Sequence, residues 1–142
     1  MSILRPLAML AATSVFLHLI WERAHIHLYT GYEALEGALP VYVYASLGDV
    51  FYTFLAVGLI TLFKRDPLWF RSAKGREYAI LALFGFFIAL SVEYKAAAFG
   101  RWAYADAMPL LFGLGLSPLL QMTVLLPLTV SIVVVAERWL SR

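Results

Sequence analysis

The chain has 142 residues, 63% of them hydrophobic and 14% charged, with a mean hydropathy of +0.82 and a formal net charge of +2. That composition excludes an ordinary soluble domain of this size. The sequence holds no cysteine, which excludes disulfides, iron–sulfur ligation, covalent haem attachment and thiolate metal sites together, so any bound metal has to be held by nitrogen and oxygen.

Four apolar stretches are each long enough to cross a hydrocarbon core of roughly 30 Å, which takes about 20 residues at helical rise. The fold class expected is therefore all-α: one polytopic four-transmembrane-helix bundle comprising residues 1–142. The first span is expected over Leu7–Tyr29. Arg5 followed by an apolar run imitates a secretory leader, but no small-residue cleavage site follows, and the segment reads as a retained helix. His18, Glu22, His25 and Tyr29 are spaced 4, 3 and 4 in this stretch and so share one helical face, while Trp21 and His27 point elsewhere. Ionisable groups inside a membrane span are costly and mark functional sites by default. The loop that follows carries Glu33 and Glu36 and no base; Tyr32, Leu35 and Leu39 suggest a short amphipathic turn lying at the interface.

The second span is expected over Val41–Phe63, with Tyr42, Ser46, Asp49 and Thr53 on one stripe. Asp49 lies about 12 Å below the start of that helix. The next loop is basic, with Lys64, Arg65, Arg71, Lys74 and Arg76. By the positive-inside rule it is cytoplasmic, and both termini, with Arg5, Arg138 and Arg142, fall on the same side of a cytoplasmic membrane. Of the 11 lysines and arginines, all but Arg23, Lys95 and Arg101 lie on that inner side.

The third span is expected over Tyr78–Phe99. Ala82, Gly85, Ala89, Glu93, Ala96 and Gly100 form a row of small residues that contains one acid, a pattern that turns Glu93 toward protein rather than lipid. Residues 100–115 mix aromatics, glycines and prolines and read as a re-entrant or interfacial lid. The last span, Leu116–Leu140, carries Gln121 in its first turns. It also carries Pro127, which frees one backbone carbonyl for Thr123 or Ser131 to satisfy. The half of the bundle nearer the basic loop offers only hydroxyls such as Thr61 and Ser131.

All the buried polar groups thus converge on the outer half. Glu22-x-x-His25 is one copy of the acid–histidine spacing used by carboxylate-bridged di-metal bundles. The set His18, Glu22, His25, Asp49 and Glu93 is a candidate ligand shell for a divalent metal. The weighed alternative is a polar core neutralised by Arg23, Lys95 and Arg101. With every histidine on the first span, a b-type haem would need a second chain. In residue types, though in no aligned motif, the set is similar to that of sterol-isomerase-type membrane proteins, which also place Glu, Asp, His and Trp inside a small helical bundle; that likeness names no family.

The functional expectation is an intramembrane enzyme or binding protein for a lipid or isoprenoid-like molecule. Glu22, Asp49 and Glu93 are its candidate catalytic groups, and Arg101, Trp102, Tyr104 and Gln121 its candidate substrate contacts. Two other readings stand beside it. One is a dimeric transporter or proton-coupled exchanger working through Glu22 or Glu93. The other is a non-catalytic subunit or assembly factor of a larger membrane complex. Nothing in the sequence points to a nucleic-acid partner.

Overall fold

The computed structural model describes residues 3–32 and 37–140. The acidic loop residues Glu33 and Glu36, with Leu35 and Arg142, lie outside the described residues. Four helices dominate: α1 (Leu4–His25), α2 (Val41–Lys64), α3 (Gly75–Phe99) and α4 (Leu116–Leu140). All four are long and apolar enough to cross a membrane. Two-residue strands β1 (Tyr29–Thr30), β2 (Ala103–Tyr104), β3 (Leu110–Leu111) and β4 (Leu114–Gly115) lie in the connections at one end, called here the pocket end. The opposite end carries the basic loop.

The helix limits have local causes. α1 does not continue to Tyr29 as its apolar run suggests. After His25 the chain tightens into a short 3-10 turn over Ile26–Leu28, and Tyr29 is extended (φ −114°, ψ 155°), because its backbone pairs with Tyr104 in an antiparallel ladder. α2 starts directly after Pro40, whose fixed φ stops the preceding segment. α3 starts three residues before Tyr78, because the Glu77 carboxylate accepts from the Lys74 backbone N–H at 2.9 Å and satisfies a donor at the helix start. It ends where Gly100 takes a left-handed conformation (φ 59°), so Gly100 is an exposed helix stop and not a member of the packed small-residue face.

Around the bundle α1 packs against α2 and α4, and α3 packs chiefly on α4, while the seam between α2 and α3 is the loosest of the four. Gly85 explains the α3–α4 contact. A Cβ built there would stand 2.1 Å from the carbonyl oxygen of Met122, so the two backbones meet at a distance only glycine allows. Pro127 sits inside α4, but neither nearby hydroxyl serves the carbonyl it frees. Thr123 donates to the Leu119 oxygen at 2.6 Å and Ser131 to the Pro127 oxygen at 2.9 Å.

The basic end is closed and more polar than its sequence suggests. Trp69 and Phe70, in a 3-10 turn over Trp69–Ser72, are fully buried against the core, and the Trp69 indole donates to the Val57 carbonyl at 3.3 Å. Two buried acids sit beside them: Glu77 meets Lys64 at 2.7 Å, and Glu137 meets Arg71 at 2.5 Å. The expectation that only hydroxyls occupy this half is corrected accordingly. The basic loop supplies partners for these acids, and α2, α3 and α4 are tied together through them.

Gly85→Ala is expected to destabilise the bundle by about 1–3 kcal/mol, the cost of overpacking a filled contact. At Gly48 a Cβ meets nothing within 4 Å, and Gly48→Ala is expected to be neutral or to stabilise α2 by about 0.5–1 kcal/mol. Denaturant unfolding of the two variants in one detergent distinguishes them; equal effects would contradict the close approach at Gly85.

Candidate functional site

The site is assembled from one polar residue or pair on each helix. His18 and Glu22 fall on the buried face of α1, which repeats through Leu10, Ser14, His18, Glu22 and His25. In α2, Thr53 donates its hydroxyl hydrogen to the Asp49 carbonyl at 2.9 Å. With that hydrogen committed, the contact of 3.2 Å between Thr53 Oγ1 and His18 Nε2 requires His18 to donate. His18 Nδ1 then accepts from the Gln121 amide at 3.2 Å, and the same amide nitrogen donates to Asp49 Oδ2 at 2.7 Å. One chain of donors thus joins α1, α2 and α4, and Asp49 also stands against the Glu22 carboxyl.

A second group lies nearer the roof. Ser117, at the start of α4, accepts from the Trp21 indole at 3.3 Å and contacts His25 Nδ1 at 2.8 Å. The other ring nitrogen of His25 is Nε2, on the side of Glu22. That nitrogen stands 3.2 Å from Glu22 Oε2, yet the angle makes no hydrogen bond, and both atoms are buried without one. The third group is Glu93 of α3, whose Oε2 accepts from the Tyr104 hydroxyl at 2.5 Å and from the Trp102 indole at 3.4 Å.

A roof forms because the two connections at this end pair with each other. Tyr29 and Thr30 face Tyr104 and Ala103, and Ala105 donates its backbone N–H to the Leu28 carbonyl at 2.9 Å. Gly31 takes φ +82° to turn the chain over Trp102. Tyr29 and Tyr32 stack with ring centroids 4.6 Å apart, and Trp102 stands edge-on to Tyr32 at 5.5 Å. Within residues 100–115, β3 and β4 form a separate hairpin through Phe112 and Gly113, both at positive φ.

Beneath the roof is a cavity of about 380 Å³, within the range of small-molecule sites. Glu22, Asp49, Glu93, Arg101, Trp102 and Gln121 all line it. His18 and His25 stand behind these acids, and Tyr104 holds Glu93 in place. The three acids expected to converge do so: Glu22 and Asp49 are near enough to interact directly, and Glu22 also acts electrostatically on Glu93.

The other expectations fare differently. The five candidate ligands are divided among three hydrogen-bonded groups, both His18 nitrogens are engaged, and among the described residues no three His, Asp or Glu side chains are placed to hold a metal ion. Nor do cations neutralise the acids. Arg23 lies over the Tyr42 ring at 6.0 Å, Arg101 over Trp102 at 5.7 Å, and Lys95 is exposed; among the described residues none pairs with Glu22, Asp49 or Glu93. Trp21, expected to point away, reaches Ser117.

Ser117 itself was not anticipated, although its place four residues before Gln121 puts both on one face of α4. The ring-bearing wall of α2, Tyr44 and Tyr52 with Gly48 between them, was also missed; its spacing of 4 and 4 is the signal that could have found it. No family model matches this chain, and no curated protein or solved structure matches it either.

Burial pushes the phenols of Tyr29, Tyr32 and Tyr104 above the ordinary 10.0, with Glu93 adding to the effect in each. A phenol whose folded pKa is raised keeps its proton longer in the native state. Its contribution to stability is complete below about pH 10 and is lost as pH rises beyond that value, where the unfolded chain ionises first. Ultraviolet titration is expected to show these three of the 8 tyrosines silent until the fold opens. Their ionisation in step with the others, with the helices intact, would contradict a closed roof.

Proposed function

We propose that the chain spans a cytoplasmic membrane four times, basic loop and termini inward, and that its pocket end binds and acts on an amphiphilic molecule of lipid or isoprenoid type. One observation carries this reading: a half-open cavity with acids on its polar side also reaches the loosest seam of the bundle. Gly48, Tyr44 and Tyr52 of α2 and Ile88 and Val92 of α3 line it there, so an apolar tail has a sideways path from the hydrocarbon while its head lies among the carboxyls. In this reading Glu93, held by two donors at one oxygen, acts as the acid or base, and Glu22 with His25 is its counterpart for proton transfer.

The exchanger reading needs polar lining on both sides of the midplane. Trp69 and Phe70 fill the basic end and its acids are already ion-paired, which favours a site reached from one side. The subunit reading needs the small-residue face of α3 to be free, and Gly85 and Ala89 are buried within the bundle.

Lipid mass spectrometry of the purified protein is expected to find one amphiphile per chain, released in Gly48→Phe, where a ring fills the seam without a clash at the Cβ. Retention of the same molecule by folded Gly48→Phe would overturn access along this path. The orientation is checked in the cysteine-free background: Asp106→Cys should react with an impermeant maleimide from outside intact cells and Lys74→Cys only after permeabilisation, and the reverse pattern would invert the topology.

A further inference from the structure

We infer that the molecule held in this cavity is cationic, an amine or quaternary ammonium head on an apolar tail. This rests on the proposed amphiphile site and specifies its chemistry.

The acids that line the cavity are only partly held by the protein's own donors. Asp49 and Glu93 each have one carboxyl oxygen engaged by neutral donors. Glu22 Oε2 is buried without a donor, and the Glu22 and Asp49 carboxyls stand close enough to act on each other directly. Glu22 is 6% exposed in its side chain, lines the cavity, and has the misaligned His25 nitrogen and the Asp49 carboxyl as its neighbours, neither of which gives it a hydrogen-bond donor in line. An acid that is nine-tenths buried and left this way is costly unless a partner arrives.

No resident group supplies the missing charge. The ionisable groups facing the three acids are His18, with both nitrogens committed, His25, Tyr29, Tyr32 and Tyr104. Among the described residues Arg101 is the one basic side chain that lines the cavity, and it is exposed, turned over the Trp102 ring. The lining therefore carries three acids against one base at the rim.

The second observation is independent of the acids. Tyr29, Tyr32, Tyr44, Tyr52 and Trp102 also line the cavity. Aromatic faces attract cations, most strongly where water is excluded, and rings grouped around an ammonium are a recurrent means of binding it. An anionic head meets three carboxyls here. A neutral head gains from the rings only their apolar surface. A cation gains from both sets of groups, while Ile88, Val92 and Met122 remain for the tail.

Farnesylamine, farnesol and farnesoic acid carry cationic, neutral and anionic heads on one isoprenoid chain, and their binding to the full-length protein in nanodiscs can be followed through tryptophan fluorescence. The amine is expected to bind at least ten-fold more tightly than the alcohol, and the acid most weakly. Glu22→Gln and Asp49→Asn should each bring the amine within about three-fold of the alcohol measured on the same variant. Tyr44→Leu, at a half-exposed wall position that does not endanger the fold, should weaken the amine selectively as well. Alcohol or acid binding as tightly as the amine in the wild type would overturn the cationic assignment and leave the amphiphile site standing. Failure of all three to bind would overturn both.

Discussion

A carboxyl group inside an apolar bundle has to be held by something, and here the holders are neutral. Gln121 holds Asp49, and Tyr104 and Trp102 hold Glu93. Each of these contacts crosses from one element to another, so the polar groups also fix how the helices sit at the pocket end. Hydrogen bonds to charged acceptors contribute about 1.5–3 kcal/mol each, but their geometric effect matters more for function. Each of these acids has one oxygen held against the protein while its residue lines the cavity, a fixed placement of the kind that acid–base and binding sites require.

The two ends of the molecule solve the problem of buried acids in opposite ways. At the basic end Glu77 and Glu137 meet Lys64 and Arg71 directly, and Trp69 with Phe70 fills the remaining space. At the pocket end no lysine or arginine among the described residues pairs with the three acids, and a cavity stands where the other end is packed. The packing follows the same division. Gly85 draws α3 onto α4 until their backbones touch, whereas Gly48 on α2 faces open space across the seam toward α3. A bundle held tightly along α3–α4 and loosely along α2–α3 has one natural side for a ligand to pass.

Four long apolar helices were legible from hydropathy alone, since spans of this length leave little choice of element. The convergence of Glu22, Asp49, Glu93 and Gln121 was legible from helical spacing, and the burial of Glu93 from the small residues around it. What was not legible depended on contacts between distant segments. Nothing near Tyr29 marks the end of α1, because its cause is pairing with Tyr104 across most of the chain. Arg101 looked like the counter-ion of Glu93, yet the roof's fold gives that place to Tyr104 and Trp102. Ion pairs at the basic end were hidden in the same way: Glu77 and Glu137 lie at the limits of their helices, where a sequence reads them as solvated charges.

The central claim is that three acids on three helices share one cavity. Dicyclohexylcarbodiimide, an apolar reagent that adds a bulky group to carboxyls in apolar surroundings, tests this by intact-mass measurement of the wild type and of variants retaining each acid alone. If the acids share the cavity, each single-acid variant takes one adduct and the wild type also takes one, because the first adduct fills the space before the others. A wild type that accumulates two or three adducts at the rates of its separate acids would contradict it.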